Sequence, residues 1–319
     1  MKADPPVSVV VPVWGKVGTV AATLQSVADQ TYPRIELIII DDASTDGSLA
    51  VVEEWMGTTT LPCTLIRNDE NLGLNRSLNR GMRRATGEFI VCLDADDSLL
   101  PHMVESHVRL LLESEDLVLV HGDGRRLDQD GAVLVESIIM EHRSSPAPTG
   151  MIFTDLLVDP RFIHFSTVTM RRSAIDEVGL FDEELAYQDF DMLLRLARIG
   201  PIRNSGSIDT EVLVLRDSMS GTIGEALPLS MLRVFAKWRK DPGIPAAQLR
   251  MKAAACVLEV AGRQEAMTLR SSIRALRLTA SIYPDPRMLV RACVLIARSA
   301  LGRSLHRGRQ KPEESSQSR

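Results

Sequence analysis

Two acidic clusters have the residue types and spacing to do chemistry. Asp94-Ala95-Asp96-Asp97 follows the apolar run 88–93, and Asp41-Asp42 follows the run 35–40. Ionised carboxylates only accept, and they suit hard cations that take oxygen ligands. A turn lets both side chains of Asp94-x-Asp96 point into one cavity. There they can hold a divalent cation against a diphosphate, offsetting charge as a leaving group departs. Taken alone, the pair reads more readily as a solvated turn or as a cap, with Asp97 or Ser98 opening a helix near Pro101.

The elements around these clusters decide between the two. Val7 to Val13 is a β-branched run that reads as a buried parallel strand. Apolar residues at helical spacing follow from Val17 to Gln30, stopped by Tyr32-Pro33. Ile35 to Ile40 is a second strand and Ser48 to Met56 a helix. Cys63 to Arg67 is a short strand, Leu74 to Ala85 a helix, and Glu88 to Leu93 another strand. This alternation predicts an α/β fold, a mainly parallel sheet flanked by helices. In such sheets ligands sit beyond the carboxyl ends of the strands, so residues 41–42 and 94–97 should meet on one edge. Later in the chain, Asp128-Gln129-Asp130-Gly131 reads as a hairpin turn and 144–150 as a loop.

Composition narrows the class. The 319 residues are 45% apolar, enough for an ordinary core. No apolar run is long enough to span a bilayer, and no signal peptide is evident. The four cysteines are scattered, which fits reduced thiols in a cytoplasmic protein. Residues 1–224 hold 19 Lys/Arg against 35 Asp/Glu, whereas 225–319 hold 18 against 7. An acidic body of this kind would repel nucleic acid. The expected division is a domain over 1–224 and a helical, basic C-terminal extension over 225–319 with a disordered tail.

At this point the sequence resembles the family 2 glycosyltransferases, which share the GT-A fold. The matching stretches are 7–48, 71–97 and 179–200. They carry the QTYP helix end, the DD-x-S-x-D-G loop, the N-x-G…N-x-G-x-x-x-A-x-G-E run closing in DxDD, and a G-x-F-D-E segment before Gln188-Asp189. The resemblance implies a nucleotide-sugar donor bound by Pro12, Trp14, Asp42, Gly73, Asn79, Asp94 and Asp96. It implies Mg2+ or Mn2+ on Asp94 and Asp96, and Asp189 as the general base of an inverting transfer. The implied acceptor is a hydroxyl of a glycan or lipid-linked glycan, in cell-surface polysaccharide or glycolipid synthesis, and the implied donor nucleotide is UDP.

Four positions depart from the family pattern. Trp14-Gly15 replaces a common Tyr-Asn, Leu78 a frequent Arg, and Gln188 the usual Glu. Leu215-Arg216-Asp217-Ser218 lacks the His that can complete a metal shell. Two other functions stay open. A nucleotidyltransferase would need a Gly-rich basic loop after the first strand, where only Lys16 stands. A non-catalytic subunit of the same fold would show no donor hydrolysis.

Helical periodicity continues over 227–238, 246–261, 266–279 and 287–301. Arg287, Arg291 and Arg298 line one side of the last of these, beside Met288, Leu289, Val294 and Leu295. Such a helix suits the interface of an anionic membrane, which would place the protein peripherally at the inner face of the cell membrane. Packing of the arginines on the acidic body is the equal alternative.

Overall fold

The computed structural model describes residues 4–214 and 226–244, together with Lys252, Ala253, Cys256 and Arg277. The chain divides into two compact units: Met1–Glu184 with Gln188–Ser218, and Leu185–Tyr187 with Met219–Arg319.

The first unit is an α/β sheet. Its leading strands are β1 (Val7–Val13), β2 (Ile35–Asp41), β3 (Cys63–Arg67) and β4 (Phe89–Cys92), in spatial order β3-β2-β1-β4 and all parallel. β1 lies between β2 and β4, and five of its valines have no exposed surface. A strand covered on both faces must be apolar throughout, which is why this run does not alternate. The intervening helices are α1 (Val20–Ala28), α2 (Ser48–Met56) and α3 (Leu74–Arg84). α3 lies close on the sheet because Gly81 has no side chain there. A Cβ at that position would sit 2.5 Å from Val10 and 2.6 Å from Ile40.

The remaining strands extend the sheet with mixed polarity. They are β5 (Asp97–Leu99), β6 (Leu119–Leu127), β7 (Val133–Val135), β8 (Val168–Arg171) and β9 (Ile202–Leu213). β8 is antiparallel to β4 and β6, β9 is parallel to β6, and β5 closes the order against β9. β6 and β7 form the hairpin expected at 128–131, closed by Gly131 N–H donating to the Asp128 carbonyl at 3.1 Å. α4 (Met103–Glu113), α5 (Ile138–His142), α6 (Phe153–Val158), α7 (Arg172–Val178) and α8 (Gln188–Ile199) complete the unit.

Two local expectations are corrected. Helix α1 begins at Val20 rather than Val17, because residues 16–19 form a turn in which Thr19 and Val20 donate back to the Lys16 carbonyl. Asp97 caps no helix: its N–H donates to the Asp94 carbonyl at 3.0 Å to close the 94–97 turn, and it is the buried first residue of β5.

In the second unit, α9 (Ala226–Trp238) matches the first expected C-terminal helix and buries Leu232, Val234 and Phe235. The helix expected over 287–301, its membrane or packing role and the tail lie outside the described residues. Among the described residues no helix is long and apolar enough to cross a membrane. Cys63, Cys92 and Cys256 are free thiols.

Candidate active site

Sheet register brings the acidic clusters together. Val13 lies beside Asp41 across β1 and β2, and Asp42 N–H donates to the Val13 carbonyl at 2.9 Å. On the other side Leu93 N–H donates to the Val10 carbonyl at 3.0 Å. The carboxyl ends of β1, β2 and β4 therefore share one edge, with Trp14, Asp42 and Asp94 just beyond it.

Trp14 is 52% exposed, and Pro12 is part-exposed within β1. An exposed indole this large at a strand end offers a free stacking face. Asp42 is almost fully buried. One oxygen accepts from Asn68 Nδ2 at 2.7 Å and Leu72 N–H at 2.8 Å, and the other from Gly73 N–H at 2.9 Å. It folds the 68–73 loop over the end of β2, and Gly73 takes a φ of 87° that favours glycine. A carboxylate has about four acceptor sites, so three internal bonds leave room for one outside donor. Asp42→Ala should leave the N–H groups of Leu72 and Gly73 without an acceptor and strip one of the Asn68 amide's bonds, its bond to Ser77 remaining. Each such buried group costs about 1–3 kcal/mol, so a clear drop in the urea midpoint is expected. An unchanged midpoint would show that the loop holds itself.

Asn79 is expected at the donor, but its amide is engaged by the chain. Nδ2 donates to the Phe181 carbonyl and to Glu183 Oε1, both at 3.0 Å, and Oδ1 accepts from Phe181 N–H at 3.0 Å. Asn75 adds a bond to the Asp182 carbonyl at 2.8 Å. Arg195 of α8 donates to the carbonyls of Val178, Gly179 and Leu180. The segment 178–183 is thus pinned from α3 and α8, and α8 carries Asp189 in its first turn.

Asp189 accepts from Gln188 Nε2 at 2.9 Å. Burial pushes its pKa up to about 6, while the charge of His164 and the Gln188 bond pull the other way. Asp191, two residues on, is fully buried and pairs with Arg195 at 2.8 Å, a structural bond. Asp94 is exposed to solvent, but the protein atoms around its carboxyl displace part of its hydration. This desolvation, then the charges of Asp97, Asp189 and Asp96, raise its pKa well above the carboxylate range, with His164 opposing. The charge of Asp189 is among those that act on Asp94, so the two carboxylates are neighbours.

Sequence reasoning missed two side chains here, Ser166 and His164, and the role of a third. Asp97 accepts from Ser166 Oγ at 2.5 Å and from His164 Nε2 at 2.9 Å. Ser166 Oγ also accepts from Asp94 N–H at 3.4 Å. β8 runs antiparallel to β4, so residues just before it lie beyond the carboxyl end of β4, beside 94–97. Burial disfavours protonation of His164, but the Asp97 hydrogen bond and the charges of Asp97, Asp94 and Asp189 outweigh it and raise its pKa. The third is Lys16, whose Nζ pairs with Asp96.

The acid-rich recess fits a cation. Among the described residues no group of three or more His, Cys, Asp or Glu side chains is placed to hold a metal. Asp94 and Asp96 would supply two oxygen ligands and leave the rest of a cation's shell to phosphate and water, a common arrangement for Mg2+.

A family model described as glycosyl transferase family 2 matches residues 8–179, more than half of the chain. The chain belongs to glycosyl transferase family 2. Asp189 lies just beyond the matched residues. The amylovoran biosynthesis glycosyltransferase AmsB of Erwinia amylovora is 28% identical over 204 residues, which are 60% of this chain and 64% of that one. The chain spans less than two-thirds of the length of the curated relatives it matches. Among solved structures, Staphylococcus aureus TarS 1-349 in complex with UDP-GlcNAc superposes with a TM-score of 0.66 at 16% identity, covering 95% of this chain and 92% of that one. The mannosyltransferase PcManGT of Pyrobaculum calidifontis, in complex with GDP-Man and Mn2+, gives 0.60 at 20% identity, covering 94% and 87%. At these identities the likeness is one of fold, and the fold is GT-A.

Proposed function

We propose that this family 2 protein transfers a sugar from a nucleotide-diphosphate donor, UDP-linked, to a hydroxyl acceptor with inversion, in cell-surface polysaccharide or glycolipid synthesis. The observation that supports the reading is that Asp94, beside Asp96 just beyond β4, feels the charge of Asp189. Asp94 and Asp96 would hold Mg2+ or Mn2+, which when bound offsets the charge gathering on the departing diphosphate. Asp189 takes the proton of the acceptor hydroxyl as its oxygen bonds to the anomeric carbon and the bond to the diphosphate breaks. The donor's nucleobase would lie against Trp14, with Pro12, Asp42 and Gly73 also serving donor binding. Asn79 serves donor binding at one remove, by fixing the segment ahead of Asp189.

The nucleotidyltransferase reading needs a Gly-rich basic loop after β1, and Lys16 is the single basic residue there. Against a non-catalytic subunit stands the retention of Asp94, Asp96 and Asp189 together. Donor turnover over a panel of nucleotide sugars is the experiment that tests the reading.

Trp14→Ala should weaken binding of the free nucleotide. Loss of a stacking face costs about 1–3 kcal/mol per base in comparable settings. Equal calorimetric affinities of wild type and variant would show that the indole stacks on nothing.

The acceptor reading extends to a lipid surface. The basic residues of 270–311 should hold the protein on anionic vesicles at low salt, each contributing about 1 kcal/mol near the surface. Co-sedimentation that ignores lipid charge, or that persists after truncation at Gly224, would leave the tail as a packing element.

A further inference from the structure

The Lys16–Asp96 ion pair has no part in the transfer as written above. Lys16 follows Trp14-Gly15 at the end of β1, and its backbone is fixed. Its N–H donates to Ser48 Oγ at 2.7 Å, and its carbonyl accepts from Thr19 and Val20 N–H at 3.1 and 3.0 Å. Val17 N–H donates to Asp46 Oδ2 at 3.0 Å, and Thr19 Oγ1 to the Ala95 carbonyl at 2.9 Å. The turn is thereby tied to both the 46–48 loop and the 94–97 turn. Only the side chain is left to move, and it ends on Asp96 with the pair largely out of water: the two side chains are 19% and 15% exposed. Among the described residues Asp96 has no other cationic partner.

A lysine ammonium is a compact cation on a flexible four-carbon stem. Placed on a carboxylate expected to bind a divalent ion, it takes the position that the ion would need. Two positive charges on one carboxylate oxygen repel each other, so the ammonium must leave when the metal arrives. The turn that anchors Lys16 lies beside Trp14, where the nucleotide would stack. The diphosphate brought in with the metal then offers the displaced ammonium new oxygens.

We infer that Lys16 is a positioning residue that occupies Asp96 in the donor-free enzyme, yields it to the divalent cation, and then pairs with the donor's diphosphate. This rests on the reading of Asp94 and Asp96 as the metal pair. Its consequence is ordered loading. Metal alone binds weakly because it must displace an ion pair, and metal with nucleotide binds well because Lys16 regains a partner. Lys16 thereby couples the two ligands in the sense of a linkage free energy.

The test uses full-length wild type, Lys16→Met and Lys16→Arg, with folding checked by circular dichroism. Free Mn2+ is counted by electron paramagnetic resonance without nucleotide, and UDP affinity is measured by calorimetry with Mn2+ present. Lys16→Met should bind Mn2+ alone about three- to tenfold more tightly, as expected for removal of one competing ion pair. It should bind UDP about tenfold more weakly, whereas Lys16→Arg should fall between wild type and Lys16→Met in both. Unchanged Mn2+ affinity in folded Lys16→Met would overturn the inference and leave the metal site standing. Unchanged UDP affinity would overturn the second half, the move to the diphosphate. A wild type that binds no Mn2+ with or without UDP would overturn the metal site itself, and the inference with it.

Discussion

Asp96→Ala should abolish metal-dependent transfer while leaving the protein folded. The residue sits on a turn between β4 and β5 and not in the core, and its cationic partner among the described residues is Lys16. Losing that pair should cost no more than about 1 kcal/mol of stability. The activity loss is of another size. The cation that Asp96 would hold acts where charge develops in the transition state, and groups of that kind are worth about 10²–10³ in rate. Excess Mn2+ should not restore it, because Asp94 would remain a lone ligand. Activity near the wild-type level with Mg2+ or Mn2+ would show that the pair is not the metal site.

Asp189→Asn should lose turnover and keep the donor. The amide preserves the shape and the Gln188 contact but cannot take a proton, so the deficit belongs in kcat more than in KM. Removal of a general base costs about 10²–10⁴. The pH profile gives a second reading of the same residue. With the Asp189 pKa raised to about 6, the base is protonated and idle below that pH and competent above it. Wild-type kcat/KM should therefore fall as pH drops through about 6. The variant should be slow throughout and lack that acidic limb. An unchanged kcat would remove Asp189 from the base role. Asp191 could not simply inherit it, since its carboxylate is buried against Arg195.

Most of the frame was legible because its signals are local. β-branched runs mark β1 and β2, and Asp41-Asp42 and Asp94-Ala95-Asp96 stand at the carboxyl ends that the alternation predicts. What escaped depends on contacts across long stretches of chain. His164 and Asp97 meet over 67 residues of sequence, through an antiparallel strand that periodicity cannot place. A search for metal-ligand spacing among histidines cannot detect one that serves a carboxylate. β5 is three residues long and opens on an aspartate that reads as a cap in isolation. Asn79 fits the sequence pattern for a donor contact, but that pattern does not tell a side chain touching ligand from one pinning the segment beside it.

The central claim is that this recess breaks the bond between a sugar and a nucleoside diphosphate. The most direct measurement is donor hydrolysis by the full chain, without acceptor, over a panel of UDP-, GDP-, dTDP- and CDP-linked sugars with Mn2+. Many transferases slowly pass the sugar to water under these conditions. The expected result is release of a nucleoside diphosphate from one donor, UDP-linked, lost on chelation and in both Asp96→Ala and Asp189→Asn. If every donor came back intact, or pyrophosphate were released from a nucleoside triphosphate instead, the recess would not be a glycosyl-transfer centre.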